Sequence, residues 1–128
     1  HQNNLIGIIE MTKNEYNNHF KELLEVVIET REEGQKEYAH KENNVFQDFD
    51  STGELIGLNA EKVLFCHLNK HIRGISKYLQ DGKKQRDNIQ GRIVDSIVYL
   101  SLLSGMIKKS SCWKKYISSN FNNRILYR

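Results

Sequence analysis

The feature that most constrains the fold is a run from Ile89 to Ile107 that is apolar on nearly every side of a helix. A helix without a polar face belongs in the middle of a bundle or in a subunit interface, because water would otherwise meet its apolar side chains. Ser104 and Gly105 within the run are small, so another helix can approach closely. The run therefore predicts an all-α fold around one central apolar helix.

Signals for three more helices precede this run. Thr12 and Glu15 form a capping box in front of the first, and Asn59 is a good N-cap for a helix that ends at Asp81-Gly82. A short helix between them is expected around an apolar cluster, Val45, Phe46 and Phe49. Proline is absent, which favours long helices with short connections. We therefore predict one domain over residues 1–128, an all-α bundle of four to five helices.

Apolar side chains that recur in steps of three and four predict which face of each helix is packed. The stripe of the first helix consists of Tyr16, Phe20, Leu23, Leu24, Val27 and Ile28. The stripe of the helix after Asn59 consists of Leu64, Leu68, Ile72, Ile75 and Leu79. Cys66 is expected in the core as a small residue. The side chains expected to close over the core are Leu55, Ile56 and Leu58.

The two ends of the chain differ in character. Residues 1–11 are a mixed N-terminal extension that suits either a strand or docking on the helices. Residues 110–128 form a basic C-terminal tail or a further amphipathic helix, because six lysines and arginines and no acid follow Ile107. Such a tail meets an anionic partner or is a solvated end. No run is long enough to span a membrane, and the two cysteines form no zinc or dithiol pattern, so a cytoplasmic location without membrane contact is expected.

Asp95 is the most informative polar position, because Ile93, Val94, Ile97 and Val98 around it on the last helix are apolar. A carboxylate in a core needs a partner or a cation. Arg92 shares its helix face, and on the preceding helix Lys70, His71 and Gly74 share another. We expect His71 or Lys70 to lie opposite Asp95. The contact is either a buried pair that sets the helix register or part of a binding site.

The first helix adds an acidic side that contains Glu22 and Glu25. Carboxylates from two helices provide the hard oxygen ligands that Mg²⁺ needs beside a phosphorylated substrate. Glu22, Glu25 and Asp95 are therefore candidate metal ligands, although such a row is also typical of a solvated helix face. His67 and His71 stand four residues apart and either ligate a metal or have a structural role.

The segment from Lys36 to Ile107 resembles small helical proteins of phages and prophages that are associated with nucleotide modification. It reads KEYAHKENNVFQDF, then ELIGLNAEKVLFCHLNKHIRGI, which begins like the L-G-L helix start of those proteins, and then GRIVDSIVYLSLLSGMI. The matching positions are Tyr38, Asn44, Phe46, Phe49, Lys70, His71, Gly91, Arg92, Asp95 and Tyr99. The resemblance implies a nucleotide ligand. Its phosphate-binding or nucleotide-binding residues would be Lys70, His71, Arg92, Tyr38 and Asn44.

A more distant similarity is to the all-α nucleoside triphosphate pyrophosphohydrolases of the MazG type. Their first helix carries an E-E-x-x-E motif, which Glu22 and Glu25 match in part, and a later E-x-x-D motif, whose Asp corresponds to Asp95. The similarity implies Mg²⁺ and hydrolysis between the α and β phosphates. Arg92 stands where the second motif has Glu. An arginine can hold a phosphate but cannot ligate a metal.

Three functional hypotheses follow from these observations. The first is a phage-type nucleotide-directed protein that binds or hydrolyses a (deoxy)nucleoside triphosphate or a related nucleotide. The second is a non-catalytic binding protein that sequesters a nucleotide signal or inhibits a host defence protein. The third is a structural helical bundle that forms a homo-oligomer through the apolar last helix.

Overall fold

The described part of the chain contains four helices. The computed structural model describes residues 7–38, 44–82 and 86–109. Within these residues α1 spans Lys13–Tyr38, α2 Gln47–Ile56, α3 Ala60–Asp81 and α4 Ile89–Lys109, and no strand occurs. The predicted all-α fold is confirmed. The further helix expected in residues 110–128 lies outside the described residues.

The helix ends follow the capping signals of the sequence. The Thr12 hydroxyl accepts a hydrogen bond from the Glu15 N–H at 3.0 Å, and the Glu15 carboxylate accepts one from the Thr12 N–H at 3.1 Å. The Asn59 side chain accepts from the Lys62 N–H at 2.9 Å at the start of α3. Gly82 ends α3 with a φ of 62°, in the left-handed region that favours glycine.

The apolar helix α4 has the central position. It packs against both α1 and α3, and α3 packs in turn against α2. Contacts between α3 and α4 run in opposite directions along the two helices, since His67 meets Tyr99 and His71 meets Asp95. The two helices are therefore antiparallel, and the side chains of α3 are brought next to those of α4.

The hydrophobic core lies where α2 meets the α3–α4 pair. Its buried cluster consists of Phe49, Val63, Leu64 and Met106, and Leu64 is fully buried. Partly buried side chains surround the cluster: Phe46, Ala60, Tyr99, Leu102 and Leu103. A Cβ on Gly105 would lie 3.1 Å from the Phe46 ring, so the small residue is what admits that ring.

Several apolar side chains expected in the core are exposed. These are Tyr16, Phe20, Leu24, Ile28, Leu55, Ile56, Leu58, Ile72 and Leu79. Cys66 is exposed too, so its assignment to the core is wrong. On α3 the buried side chains are instead Val63, Leu64, Leu68 and His71. The packed face of α3 is therefore rotated toward its histidines, because α4 presents Tyr99 and Arg92 to that side.

Residues 7–12 precede α1 without regular structure, and Ile8 and Ile9 are exposed. The remainder of the N-terminal extension lies outside the described residues. Among the helices that the structure describes, none is long and apolar enough to cross a membrane.

Candidate functional site

Charged side chains converge where the middle of α3 faces the first half of α4. We call this cluster the α3–α4 seam and define it by Lys70, His71, Asp87, Arg92 and Asp95. The antiparallel packing explains the convergence, because it brings the Lys70–His71 turn of α3 to the Arg92–Asp95 turn of α4. The seam unites the cationic residues and the carboxylate that the sequence singled out.

His71 reaches from α3 to Asp95, with 3.8 Å between Nε2 and Oδ2. The His71 side chain is 9% exposed, whereas the Asp95 side chain is 43% exposed. Asp95 thus lies at the edge of the seam, and the expectation of a carboxylate buried in the core is wrong. A carboxylate in this position keeps much of its hydration, so it does not require a fully buried counter-charge.

Arg92 is the most constrained side chain of the seam. Its Nη2 lies 3.3 Å from Oδ2 of Asp87, and its Nη1 donates to the Lys70 carbonyl oxygen at 3.5 Å. The guanidinium lies directly over Gly74, where a Cβ would be 2.5 Å from Cζ. Gly74 therefore makes room for Arg92. The arginine joins α3 to the start of α4 through both charge and hydrogen bonding.

Aromatic rings line the seam on its other side. Tyr99 lies between two histidines of α3, with ring centroids 5.9 Å from His67 and 5.8 Å from His71. The Phe49 ring of α2 is nearly perpendicular to the rings of Tyr99 and His67, and its centroid lies 6.4 Å and 6.0 Å from theirs. The histidine pair is therefore engaged in ring packing, and this packing ties the seam to the hydrophobic core.

Burial lowers the pKa of His71 below its usual value of 6.5. The Asp95 carboxylate opposes this shift, while the charges of Lys70 and Arg92 add to it. Nδ1 of His71 and Nε of Arg92 are buried and have no hydrogen-bond partner among the described residues. His71 is accordingly a neutral imidazole at neutral pH, and its contact with Asp95 is not an ion pair there.

The lowered pKa of His71 predicts a loss of stability in acid. Between the two pKa values the unfolded chain binds a proton that the folded chain does not, so the free energy of unfolding falls as the pH drops below 6.5. We expect His71→Gln to flatten this dependence in denaturant titrations between about pH 7.5 and pH 5.5, the range in which histidine titrates. His19→Gln, on the exposed surface of α1, is the control and should keep the wild-type slope. Equal slopes for His71→Gln and the wild type would contradict the prediction.

The other residues expected to bind a nucleotide have different settings. Lys70 is exposed on α3 beside the guanidinium of Arg92. Asn44 accepts a hydrogen bond from the Phe46 N–H at 3.0 Å and donates to Asp50 at 3.0 Å, which arranges the chain in front of α2. Tyr38 is the last residue of α1, and its side chain lies outside the described part of the structure. Among the predicted residues whose side chains the structure describes, Lys70, His71, Arg92 and Asp95 are thus brought together.

Glu22 and Glu25 lie on the exposed surface of α1. At 3.6 residues per turn they are about 140° and 160° around the helix from the buried Val27. They therefore project away from the side of α1 that is packed. In the described residues no group of three or more His, Cys, Asp or Glu side chains is placed to hold a metal ion. Mg²⁺ binding by Glu22, Glu25 and Asp95 stays a prediction.

Asp87 of the seam and the nearby Ser96 had no functional assignment from the sequence. Asp87 had no predicted role in a site, yet it is the counter-ion of Arg92. Asp87 lies five residues before Arg92 and precedes α4, so helical spacing does not predict that their side chains meet. Ser96 is buried and donates to the Arg92 carbonyl oxygen at 2.7 Å. The sequence signal for this contact was a serine within an apolar run, because such a serine can donate a hydrogen bond to the backbone of its own helix.

Fold and seam together define a class: an all-α protein with a charged, partly exposed cluster between two antiparallel helices. Comparison with protein-family models, curated proteins and solved structures found no match.

Proposed function

We propose that this chain is a nucleotide-directed protein that binds the phosphates of a nucleoside triphosphate or related nucleotide at the α3–α4 seam. The observation that carries the proposal is the fixed guanidinium of Arg92. Gly74 leaves the space in which the guanidinium lies, and the Lys70 carbonyl oxygen accepts a hydrogen bond from it. Its other partner is the half-exposed carboxylate of Asp87. A guanidinium fork held in one orientation suits a phosphate, which it binds through two parallel hydrogen bonds.

The charges around Arg92 favour exchange of one anion for another. The Asp87 side chain is 52% exposed, so a phosphate can replace it at the guanidinium without opening the core. Lys70, exposed on the adjacent turn of α3, adds a second positive charge within the same seam. The resemblance of residues 36–107 to phage proteins of nucleotide modification supports a nucleotide as the source of the phosphate.

Hydrolysis of the bound nucleotide is the enzymatic form of this proposal. The MazG-type similarity implies attack by a metal-activated water between the α and β phosphates. Asp95 would contribute one oxygen ligand from the edge of the seam, with water and substrate phosphates completing the shell of Mg²⁺. Product formation in the presence of Mg²⁺ separates this form from sequestration, in which binding persists in EDTA and no product appears.

Lys70→Gln tests the proposal without disturbing the core, because Lys70 is exposed. We expect wild-type protein to show a thermal shift with at least one member of a nucleotide panel, and Lys70→Gln to weaken that binding about tenfold, the equivalent of about 1.4 kcal/mol. Isothermal titration at two salt concentrations measures the loss. The affinity of the variant should also depend less steeply on salt.

Lys77→Gln is the matched control, since Lys77 is an exposed lysine on the same side of α3 about two turns away. It should leave nucleotide affinity unchanged. The proposal fails if no nucleotide shifts the melting temperature and none is turned over, or if the two lysine variants lose affinity equally.

A homo-oligomeric interaction bundle is the second candidate function. Apolar side chains on different helices favour it, since Leu55 is 86% exposed, Leu79 77% and Phe65 58%. A second copy of the chain would remove this surface from water. A host protein with an apolar surface is the alternative partner. Light scattering coupled to gel filtration discriminates the candidates, because a monomer at all concentrations contradicts the oligomer.

A further inference from the structure

The apolar stripe of α1 extends beyond the part of the helix that is packed. Tyr16 and Phe20 lie within about 20° of Val27 around the helix axis, at 3.6 residues per turn. Val27 is buried, yet Tyr16 is 53% exposed and Phe20 46% exposed, and their rings stack on each other at 6.2 Å. Leu24 is exposed as well. The first half of α1 therefore presents an uncovered apolar face made of Tyr16, Phe20 and Leu24.

Residues 110–128 carry the sequence pattern of a partner for this face. Apolar residues recur there at every fourth position: Trp113, Ile117, Phe121 and Ile125. This spacing is typical of one stripe along a helix, and the α1 residues Tyr16, Phe20 and Leu24 recur at the same step. Two stripes with the same period can interlock as ridges and grooves when the helices pack.

Covalent attachment favours this segment over a second copy of the chain, because the tether gives it a high effective concentration beside α1.

The chain path permits the contact. Residues 110–128 follow directly on α4, which packs against α1. When extended, this segment can reach about 60 Å, which exceeds the length of about 39 Å expected for the 26 residues of α1. We propose that residues 110–128 dock in the same molecule on the α1 face of Tyr16, Phe20 and Leu24. This inference does not depend on nucleotide binding at the seam.

Trp113 is the only tryptophan of the chain and reports on the contact directly. We expect its fluorescence in the full-length protein to be blue-shifted and protected from iodide. Phe20→Glu, placed in the middle of the exposed face, should move the emission maximum to that of the denatured chain and remove the protection. Leu79→Glu is the control on α3, where Leu79 is 77% exposed, and it should leave the emission unchanged.

Circular dichroism checks that helix content is equal in both variants, as expected for exposed positions. A cysteine pair gives a second readout: in a Cys66→Ser background, Asn17→Cys on α1 should oxidise with Cys112 inside a monomer. Solvent-like Trp113 emission in the wild type overturns the proposal. Emission insensitive to Phe20→Glu, or protection that disappears on dilution and thus reports a second copy, overturns it as well.

Discussion

Replacing Leu64 by alanine is expected to destabilise the protein by about 2–5 kcal/mol. Leu64 is fully buried and lies in the core cluster with Phe49 and Met106. Its removal takes apolar contacts from α2, α3 and α4 at once and leaves a cavity between helices that cannot collapse freely. Urea titration followed by circular dichroism measures the change in the free energy of unfolding.

Leu79→Ala is the control for Leu64→Ala, because it removes the same atoms from the same helix where the side chain is 77% exposed. Its effect should stay within about 0.5 kcal/mol. A similar loss for both variants would mean that the cluster around Leu64 is not the core of the folded protein. The core around Leu64 also supports the side of α3 next to the seam, because His67 lies one helical turn from Leu64 and packs on Phe49.

Gly53→Ala is expected to have the second large effect, a destabilisation of about 2–3 kcal/mol. A Cβ at position 53 would overlap the Leu58 carbonyl oxygen, which belongs to the backbone and cannot move aside as a side chain can. The Gly53 carbonyl also accepts hydrogen bonds from the Gly57 and Leu58 N–H groups, at 2.8 Å and 3.0 Å. Any shift that admits the methyl group must disturb the turn between α2 and α3.

Gly34→Ala is the matched control, because no atom of the described residues lies within 4 Å of a Cβ at that position in α1. There alanine should stabilise the helix by about 0.5–1 kcal/mol, since it restricts the unfolded chain and suits a helix interior. Thermal unfolding of the two variants should therefore shift in opposite directions. Equal shifts would show that the close approach of α2 to residue 58 does not determine stability.

Local signals in the sequence predicted the helices and their ends well. The Thr12–Glu15 capping box, the Asn59 cap and the Gly82 stop all appear as expected, because each depends on residues only a few positions apart. The central place of α4 was also predictable, since a helix that is apolar all round has to be covered on more than one side.

The seam was predicted only in part. Helical spacing predicted the shared face of Lys70, His71 and Gly74, and it left His71 and Lys70 as alternative partners of Asp95. The exposure of Asp95 and the pairing of Arg92 with Asp87 could not, because both depend on how α3 and α4 are rotated against each other. The same rotation leaves Ile72 exposed and buries His71.

By itself, the sequence of this chain determined the all-α class, the start of α1, both ends of α3 and the polar residues available to a site, because hydrogen bonds and side-chain spacing within one helix depend on near neighbours alone. Only the tertiary structure decided which face of each helix is covered, since that choice depends on the shapes of two surfaces together. Gly74 shows the difference: in the sequence it is a gap in a helix face, and in the fold it is the space that the Arg92 guanidinium occupies.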